Sequence, residues 1–171
     1  MDETTLEKLK AAFAGESQAN RKYLAFSRKA EREGFENVAL LFRAVAEAET
    51  VHALNHFKLF GLGNTEDNLK SAMKGEHYEV KSMYPSFLEQ AKEAGEKGAI
   101  RTFTYAVEAE KIHEKMYEDA IKNVEDGKDI SIPGGKIAVC TICGHTVFGT
   151  PPDVCPVCNA SKKAFQIFQG K

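Results

Sequence analysis

The sequence predicts a mainly helical protein, in which a four-helix bundle is followed by a small domain of strands and loops that a bound metal stabilises. Through most of the first 125 residues, apolar side chains recur at alternating steps of three and four, as in helices that bury one face. Beyond about residue 126 this period is absent, and all four cysteines lie between Cys140 and Cys158. Clustered cysteines in a segment too short for a sizeable apolar core indicate folding around a metal ion.

Length and composition restrict the function classes. The chain has 171 residues, enough for one large domain or for a medium domain with a small one. Its formal net charge is -2 and it has no basic block, which argues against a nucleic-acid partner. The N-terminus lacks signal-peptide features and no apolar run could cross a membrane, so we expect no membrane association and a cytoplasmic location. In that reducing compartment, clustered cysteines favour metal over disulfides.

Four helical segments are expected in order. The first runs from residue 4 to about 33, with Gly34 as its C-terminal cap. Asn37 is the expected N-cap of the second helix, which ends near Gly61. On the second helix Val38 and Leu41 belong to the apolar stripe that we expect to be buried.

The third helical segment is expected to be irregular. Thr65 can cap its start, Gly75 lowers helix propensity, and Pro85 predicts a kink or a break. The fourth helix is expected from about Ile100 to Val124, closed by Gly127.

A short motif occurs twice on the second and fourth helices. The segments AEAETVH (Ala46–His52) and VEAEKIH (Val107–His113) each place a glutamate three residues before a histidine, and corresponding residues are 61 apart. On a helix this spacing puts both side chains on one face, so each pair, Glu49 with His52 and Glu110 with His113, is a half-site for a divalent metal. Both glutamates fall on the apolar stripe, where an unpaired carboxylate is costly.

The repeat extends to the first and third helices. The segment Ala12-x-x-Gly15-Glu16 is echoed 60 residues later by Ala72-x-x-Gly75-Glu76. This internal duplication of a helical hairpin predicts a bundle with a pseudo-two-fold axis that brings six donors together. These are Glu16, Glu49, His52, Glu76, Glu110 and His113, the dimetal carboxylate pattern of ferritin-like bundles. Glu79, three residues after Glu76, adds a seventh inward donor.

The segment 126–136 is polar and glycine-rich, and it separates two predicted domains, 1–133 and 134–171. We call residues 134–171 the cysteine module. Its two Cys-x-x-Cys pairs, Cys140 with Cys143 and Cys155 with Cys158, predict one tetrahedral tetrathiolate site. The spacing fits a structural zinc and a redox-active iron equally, because both metals accept four thiolates.

Taken together, these motifs resemble the rubrerythrin family over essentially the whole chain. The segments that carry the resemblance are AFAGES, AEAETVH, GEHYE with SMYPSF, VEAEKIHEK, CTICG and CPVC. The cysteine module resembles rubredoxin, although Thr141 stands where rubredoxins often have proline.

The resemblance implies a role for each predicted ligand at a diiron centre. Glu49 and Glu110 would bridge the irons, Glu16 would be terminal on the first iron, and Glu76 and His113 would be terminal on the second. Glu79 would bind the first iron in the oxidised state, and His52 would replace it on reduction. Tyr23 and Tyr84 match tyrosines that hydrogen-bond ligand carboxylates, although the residues alone fit amphipathic core tyrosines equally well.

The resemblance also implies a function. We expect a peroxidase that reduces hydrogen peroxide at the diiron centre, with electrons passing through a rubredoxin-type iron held by the four cysteines, from a rubredoxin or an NAD(P)H-linked reductase. A homodimer is expected, with exchange of helices as one arrangement, and with the cysteine module of one chain serving the diiron centre of another. Two alternatives stay open: an iron oxidase or storage protein on the same bundle, and a zinc-stabilised scaffold without enzymatic activity.

Overall fold

A computed structural model describes residues 1–170, and its main elements are five α-helices and three strands. The helices are α1 (Glu3–Arg32), α2 (Glu36–Phe57), α3 (Thr65–Tyr78), α4 (Tyr84–Glu93) and α5 (Lys97–Glu125). A π-helical segment, Glu79–Met83, joins α3 to α4, so these two form one long helical region as predicted. The strands are β1 (Lys136–Cys140), β2 (Thr146–Phe148) and β3 (Phe165–Gln169). Over residues 1–170, no helix combines the length and the apolar character needed to cross a membrane.

The chain divides into two compact units, which we call the N-terminal unit (residues 1–63) and the C-terminal unit (from residue 64 onwards). The first contains α1 and α2, and the second contains α3, α4, α5 and the sheet. The predicted change of domain at residue 133/134 falls in a short 3-10 turn, Pro133–Gly135, directly before β1. The assignment of 1–133 and 134–171 as separate domains stays a prediction.

The N-terminal unit is a hairpin of α1 and α2 built on a stripe of small residues. Ala39, Ala46 and Ala53 are buried at seven-residue intervals along α2. Polar side chains of α1 reach the backbone beside this stripe: Ser27 Oγ donates to the Ala39 carbonyl at 3.0 Å, and Asn20 Nδ2 donates to the Ala46 carbonyl at 2.7 Å. Small side chains let the two helices approach closely, and ring contacts such as that of Phe13 with Phe57 add to these side chain to backbone bonds.

Two expectations for α2 are wrong. The helix begins at Glu36, so Asn37 lies inside it and does not cap it; the chain instead turns through Gly34, whose φ is +83°, with Phe35 N–H bonded to the Ala30 carbonyl. Two residues of the stripe expected to be buried are exposed: Val38 is 44% exposed and Leu41 is 62% exposed. Both side chains lie beside the alanine stripe that packs on α1, so the hairpin alone does not cover them.

The C-terminal unit contains a second hairpin with the same turn. Gly95 has a φ of +70°, and Glu96 N–H bonds to the Ala91 carbonyl, as Phe35 N–H bonds to that of Ala30. These residues are each 61 positions after their counterparts, whereas Gly75 and Glu76 are 60 positions after theirs. The extra residue must therefore lie between Glu76 and the turn.

The π-helical segment accounts for that extra residue. Tyr84 lies 61 positions after Tyr23, so the insertion falls between Glu76 and Tyr84, where Tyr84 N–H bonds to the Glu79 carbonyl five residues earlier. A π turn holds one more residue than an α turn, and such turns occur mostly as single insertions at functional sites. Pro85 follows in the first turn of α4. The helical region next to this proline therefore contains a π-helical segment and is not broken.

The cysteine module forms a three-stranded antiparallel sheet in the order β2-β1-β3. Its core consists of Ala138, Cys140, Cys143, Cys155 and Phe165, all of them buried. Tyr105 of α5 packs against this core, so the module lies on α5 of its own chain. The helical and β parts together match the predicted fold class.

Candidate metal centres

The first group of predicted ligands lies in the N-terminal unit. Donor atoms of Glu16 on α1 and of Glu49 and His52 on α2 all lie within 4.8 Å of one another. His52 Nδ1 is 3.0 Å from Glu49 Oε2, and the Glu49 side chain is 15% exposed whereas that of His52 is 55% exposed. We call these residues the first trio. The repeated motif thus places both of its side chains on one face of α2, next to a carboxylate of α1.

The second group lies in the C-terminal unit and repeats this arrangement. Donor atoms of Glu76 on α3 and of Glu110 and His113 on α5 also lie within 4.8 Å of one another. His113 Nδ1 is 2.6 Å from Glu110 Oε2, and both side chains are largely buried, 26% and 18% exposed. We call these residues the second trio. Its histidine is much less exposed than that of the first trio.

The second trio is electrostatically coupled. Burial and a hydrogen bond shared with Glu110 raise the pKa of Glu76 to about 7. The hydrogen bond from His113 lowers the pKa of Glu110, and the same bond raises the pKa of His113. Two carboxyl groups and an imidazole therefore compete for protons in one half-buried place, where a divalent cation would satisfy all three.

Glu79, the seventh predicted ligand, occupies the start of the π-helical segment. Burial raises the pKa of its carboxyl, with a further contribution from the charge of Glu110, so Glu79 lies close to the second trio. The corresponding positions of the first hairpin hold Gln18 and Ala19, which cannot supply a carboxylate. Glu79, which has no counterpart in the first hairpin, therefore lies in the π-helical segment that holds the extra residue.

The two predicted tyrosines occupy equivalent aromatic clusters. Tyr23 lies 6.2 Å from the ring centroids of both Phe26 and Phe42; Tyr84 lies 6.3 Å from that of Phe87 and 6.1 Å from that of Phe103. Burial raises the pKa of Tyr84, followed by the charges of Glu79, Glu110 and Glu76. Tyr84 is thus both a core aromatic and a neighbour of the carboxylates, and its hydrogen bond to a ligand stays a prediction.

One further tyrosine adjoins the site. Tyr117 lies on α5, seven residues after Glu110, and its pKa is raised by burial and then by the charges of Glu76 and Glu110. Sequence reasoning missed Tyr117 as a neighbour of the site. The signal available was its position two helical turns beyond a ligand on the same face.

The four cysteines converge as predicted. Cys140 Sγ is 3.6 Å from Cys158 Sγ, and Cys143 Sγ is 3.5 Å from Cys155 Sγ. A metal–sulfur distance of about 2.3 Å in tetrahedral geometry places sulfurs about 3.8 Å apart, so the spacing fits a bound metal. Burial raises the pKa of the Cys143 thiol, a cost that a cation offsets by stabilising thiolates.

The two cysteine loops share one backbone design. Gly144 N–H bonds to the Cys140 carbonyl and Asn159 N–H bonds to the Cys155 carbonyl, each at 2.9 Å. Both residues adopt a positive φ, +81° and +59°, which glycine and asparagine tolerate best. The loops thus present their thiols in matching orientations from two sides of the site.

The cysteine module contacts the second trio directly. Thr146 Oγ1 lies 2.8 Å from His113 Nε2, and a Cβ built on Gly144 would lie 3.6 Å from the Cβ of Ala109. A cleft of about 500 Å³ between α5 and the module is lined by residues of both sites, among them Glu110, His113 and Cys143. Sequence reasoning missed Thr146, because only the docking of β2 on α5 creates this contact.

Comparison with known proteins gives matches along the chain. A family model described as rubrerythrin matches residues 7–121, and one described as the rubredoxin-like domain of rubrerythrin matches residues 139–166. Rubrerythrin-2 of Clostridium acetobutylicum is 41% identical over 179 residues, covering 96% of each chain. Nigerythrin of Nitratidesulfovibrio vulgaris is 34% identical and covers 96% of this chain and 87% of its own.

Solved structures agree with these matches. Nigerythrin in a partially reduced state is similar with a TM-score of 0.57 at 34% identity, over 96% of this chain and 86% of that chain. With the side-chain clusters, these matches confirm the predicted fold class, a ferritin-like helical part with a rubredoxin-like module. They also confirm the predicted cofactors, a diiron centre and one iron in a rubredoxin-type site of four cysteines. The roles of individual ligands stay predictions.

Proposed function

The chain belongs to the rubrerythrin family, and on that premise we propose that it reduces hydrogen peroxide to water at a carboxylate-bridged diiron centre. The balanced reaction takes one peroxide, two electrons and two protons to two molecules of water. The observation that carries the proposal is the contact between two different kinds of metal site in one unit. A carboxylate and imidazole trio lies against a tetrathiolate cluster, so an electron donor adjoins a site for a two-electron reaction.

We assign the two trios to one pair of irons. Glu49 and Glu110 would be the bridging carboxylates, Glu16 would be terminal on the first iron, and Glu76 and His113 would be terminal on the second. When bound, the iron pair supplies the two electrons that cleave the O–O bond. Tyr23 and Tyr84 lie in aromatic clusters that restrict their movement. Burial of Glu110 and His113 in the second trio limits the access of water.

Glu79 and His52 are assigned to the part of the ligand set that changes with oxidation state. Glu79 would be the ligand of the oxidised centre, and His52 would replace it when the centre is reduced. The exposure of the two histidines supports this division. His52 is 55% exposed and has room to move, whereas His113 is 26% exposed and bonded on both ring nitrogens.

We propose a homodimer in which α1 and α2 are exchanged between chains. Val38 and Leu41 of α2 are exposed in the single chain, and covering an apolar stripe of this kind favours association. With exchange, the cysteine module would dock on α5 of its own chain while the first trio came from the partner. The module would then pass electrons to a diiron centre built from two chains. This arrangement agrees both with the contact between the module and α5 of its own chain and with the expected electron transfer between chains.

The physiological electron donor is proposed to be a rubredoxin or an NAD(P)H-linked reductase acting on the tetrathiolate iron, and the proposed location is the cytoplasm. The clustering of the four cysteines as metal ligands supports the location, since such thiols persist in a reducing compartment.

The rival function is iron oxidation or storage. The docked cysteine module argues against it, because a storage protein needs no internal electron donor. Mixing the reduced protein anaerobically with peroxide, and separately with dioxygen, distinguishes the two. We expect fast oxidation by peroxide, sustained turnover with a rubredoxin-reducing system, and three irons per chain. Oxidation by dioxygen alone, or zinc with empty carboxylates, would contradict the proposal.

A further inference from the structure

Thr146 connects the two metal sites through its hydroxyl group. It is the first residue of β2, and its Oγ1 lies 2.8 Å from His113 Nε2 and 2.9 Å from the carbonyl oxygen of Gly144. Gly144 directly follows Cys143, one of the four thiols. A single hydroxyl thus joins a predicted ligand of the second iron to the backbone of a cysteine loop.

Counting protons fixes the direction of both hydrogen bonds. The Gly144 carbonyl can only accept, so the one hydroxyl proton of Thr146 is donated to it. The Thr146 oxygen must then accept from His113, which places a proton on Nε2. The other ring nitrogen, Nδ1, lies 2.6 Å from Glu110 Oε2 and donates to it in the metal-free protein. A bound iron would take the place of that Nδ1 proton, whereas the proton on Nε2 would stay.

We propose that Thr146 is a positioning residue that holds His113 with its proton on Nε2 and with Nδ1 directed at the second iron. The proposal rests on the use of His113 as a ligand in the proposed function. A histidine ligand is commonly oriented by a partner on its second nitrogen, and loss of such a partner typically lowers metal affinity about ten- to a hundredfold. Here the partner belongs to the module that carries the second metal site.

The same contact distinguishes the two halves of the repeat. His52 and His113 occupy matching positions and each lies beside its own glutamate, at 3.0 Å and 2.6 Å. Only His113 lies in the unit that carries the cysteine module, and it is half as exposed as His52. Docking of the module therefore makes one histidine of a symmetric pair a fixed ligand.

The test uses the full-length chain with Zn²⁺ in the tetrathiolate site and an anaerobic titration with Fe²⁺. Thr146→Val keeps the shape of the side chain but has no hydroxyl, whereas Thr146→Ser keeps the hydroxyl. Thr141→Val is the matched control, because the Thr141 hydroxyl donates to the Ala164 carbonyl at 2.8 Å in the same module. Before Fe²⁺ is added, the ¹⁵N spectrum of the imidazoles reports whether Nε2 of His113 carries a proton.

We expect Thr146→Val to weaken Fe²⁺ binding about ten- to a hundredfold and to reduce the fraction of His113 that carries a proton on Nε2. Thr146→Ser and Thr141→Val should stay within about threefold of wild type. Unchanged Fe²⁺ affinity and unchanged protonation of Nε2 in Thr146→Val would overturn the proposal, and so would an equal loss in Thr146→Ser, since packing would then be the cause. Peroxide consumption by the wild type tests the proposed function separately, because neither readout here depends on turnover.

Discussion

The carboxyl groups of Glu76 and Glu110 share a hydrogen bond between α3 and α5. Their oxygens lie within 4.8 Å of one another, and without a cation two such carboxyl groups repel each other less when one of them holds a proton. Glu76 binds the proton more tightly, because burial and then the bond to Glu110 raise its pKa to about 7, while the bond from His113 lowers the pKa of Glu110.

This relationship predicts how pH affects the stability of the metal-free protein. The folded state binds the Glu76 proton more tightly than the unfolded chain, whose pKa is near 4.5. The contribution of this group is therefore complete below about pH 4.5 and is lost as the pH rises through about 7. We expect metal-free Glu76→Gln, which mimics the protonated acid, to lose less stability than wild type between pH 5 and pH 8.

Denaturant unfolding of the chelator-treated protein at several pH values measures this difference. Glu89→Gln, on the exposed side of α4, is the control and should parallel the wild type. Loss of equal size in Glu76→Gln and wild type would show that Glu76 does not hold the proton.

The second prediction separates chemistry at the carboxylates from electron supply. Removing a ligand in Glu79→Ala should slow oxidation of the pre-reduced protein by peroxide at least about tenfold, because the oxidised centre loses one of its carboxylates. Cys158→Ser should leave that single turnover near wild type but reduce steady-state turnover, since electrons no longer enter through the tetrathiolate site. Stopped-flow absorbance with and without a rubredoxin-reducing system measures both. If both variants lost only steady-state turnover, Glu79 would not act at the centre.

The ligand types and the repeat were readable from the sequence because both depend on local spacing. Glu-x-x-His fixes the relative direction of two side chains on any helix, and Cys-x-x-Cys does the same for a loop. The contact of Thr146 with His113 was not readable, since it depends on how β2 docks on α5. The start of α2 was misplaced because the left-handed turn at Gly34 determines it, without a capping side chain at Asn37.

The exposure of Val38 and Leu41 on α2 was also not readable from the sequence, for a different reason. Periodicity identified Val38 and Leu41 as apolar positions that need cover, but it could not say which surface supplies the cover. The hairpin uses its alanine stripe for α1 and leaves Val38 and Leu41 exposed.

A third prediction follows for association. Leu41→Glu places a charge on the exposed α2 stripe and should convert a dimer to a monomer, because burying an unpaired carboxylate at an interface is costly. Val154→Glu, at a side chain 55% exposed on the cysteine module, is the control and should stay dimeric. Sedimentation velocity at several concentrations measures the change. A Leu41→Glu dimer of unchanged affinity would place the interface elsewhere.

The last prediction concerns the π-helical segment. The second hairpin has one residue more than the first between Glu76 and Tyr84, so deleting Ser82 should convert the π turn to an α turn and restore equal lengths. The turn at Gly95 and the ring cluster of Tyr84 would keep their places, and we expect a loss of less than about 2 kcal/mol in stability.

Deleting Gln18 is the matched change in the first hairpin, where α1 is regular and has no extra residue to lose. One deletion there rotates everything beyond it by about 100° around the helix, so Tyr23 and Ser27 would leave their partners on α2. We expect a loss of more than about 3 kcal/mol, measured by thermal unfolding with circular dichroism. Equal losses of stability in the two deletions would mean that the second hairpin needs the π turn in order to fold. The π turn would then not be an insertion that the hairpin accommodates beside Glu79.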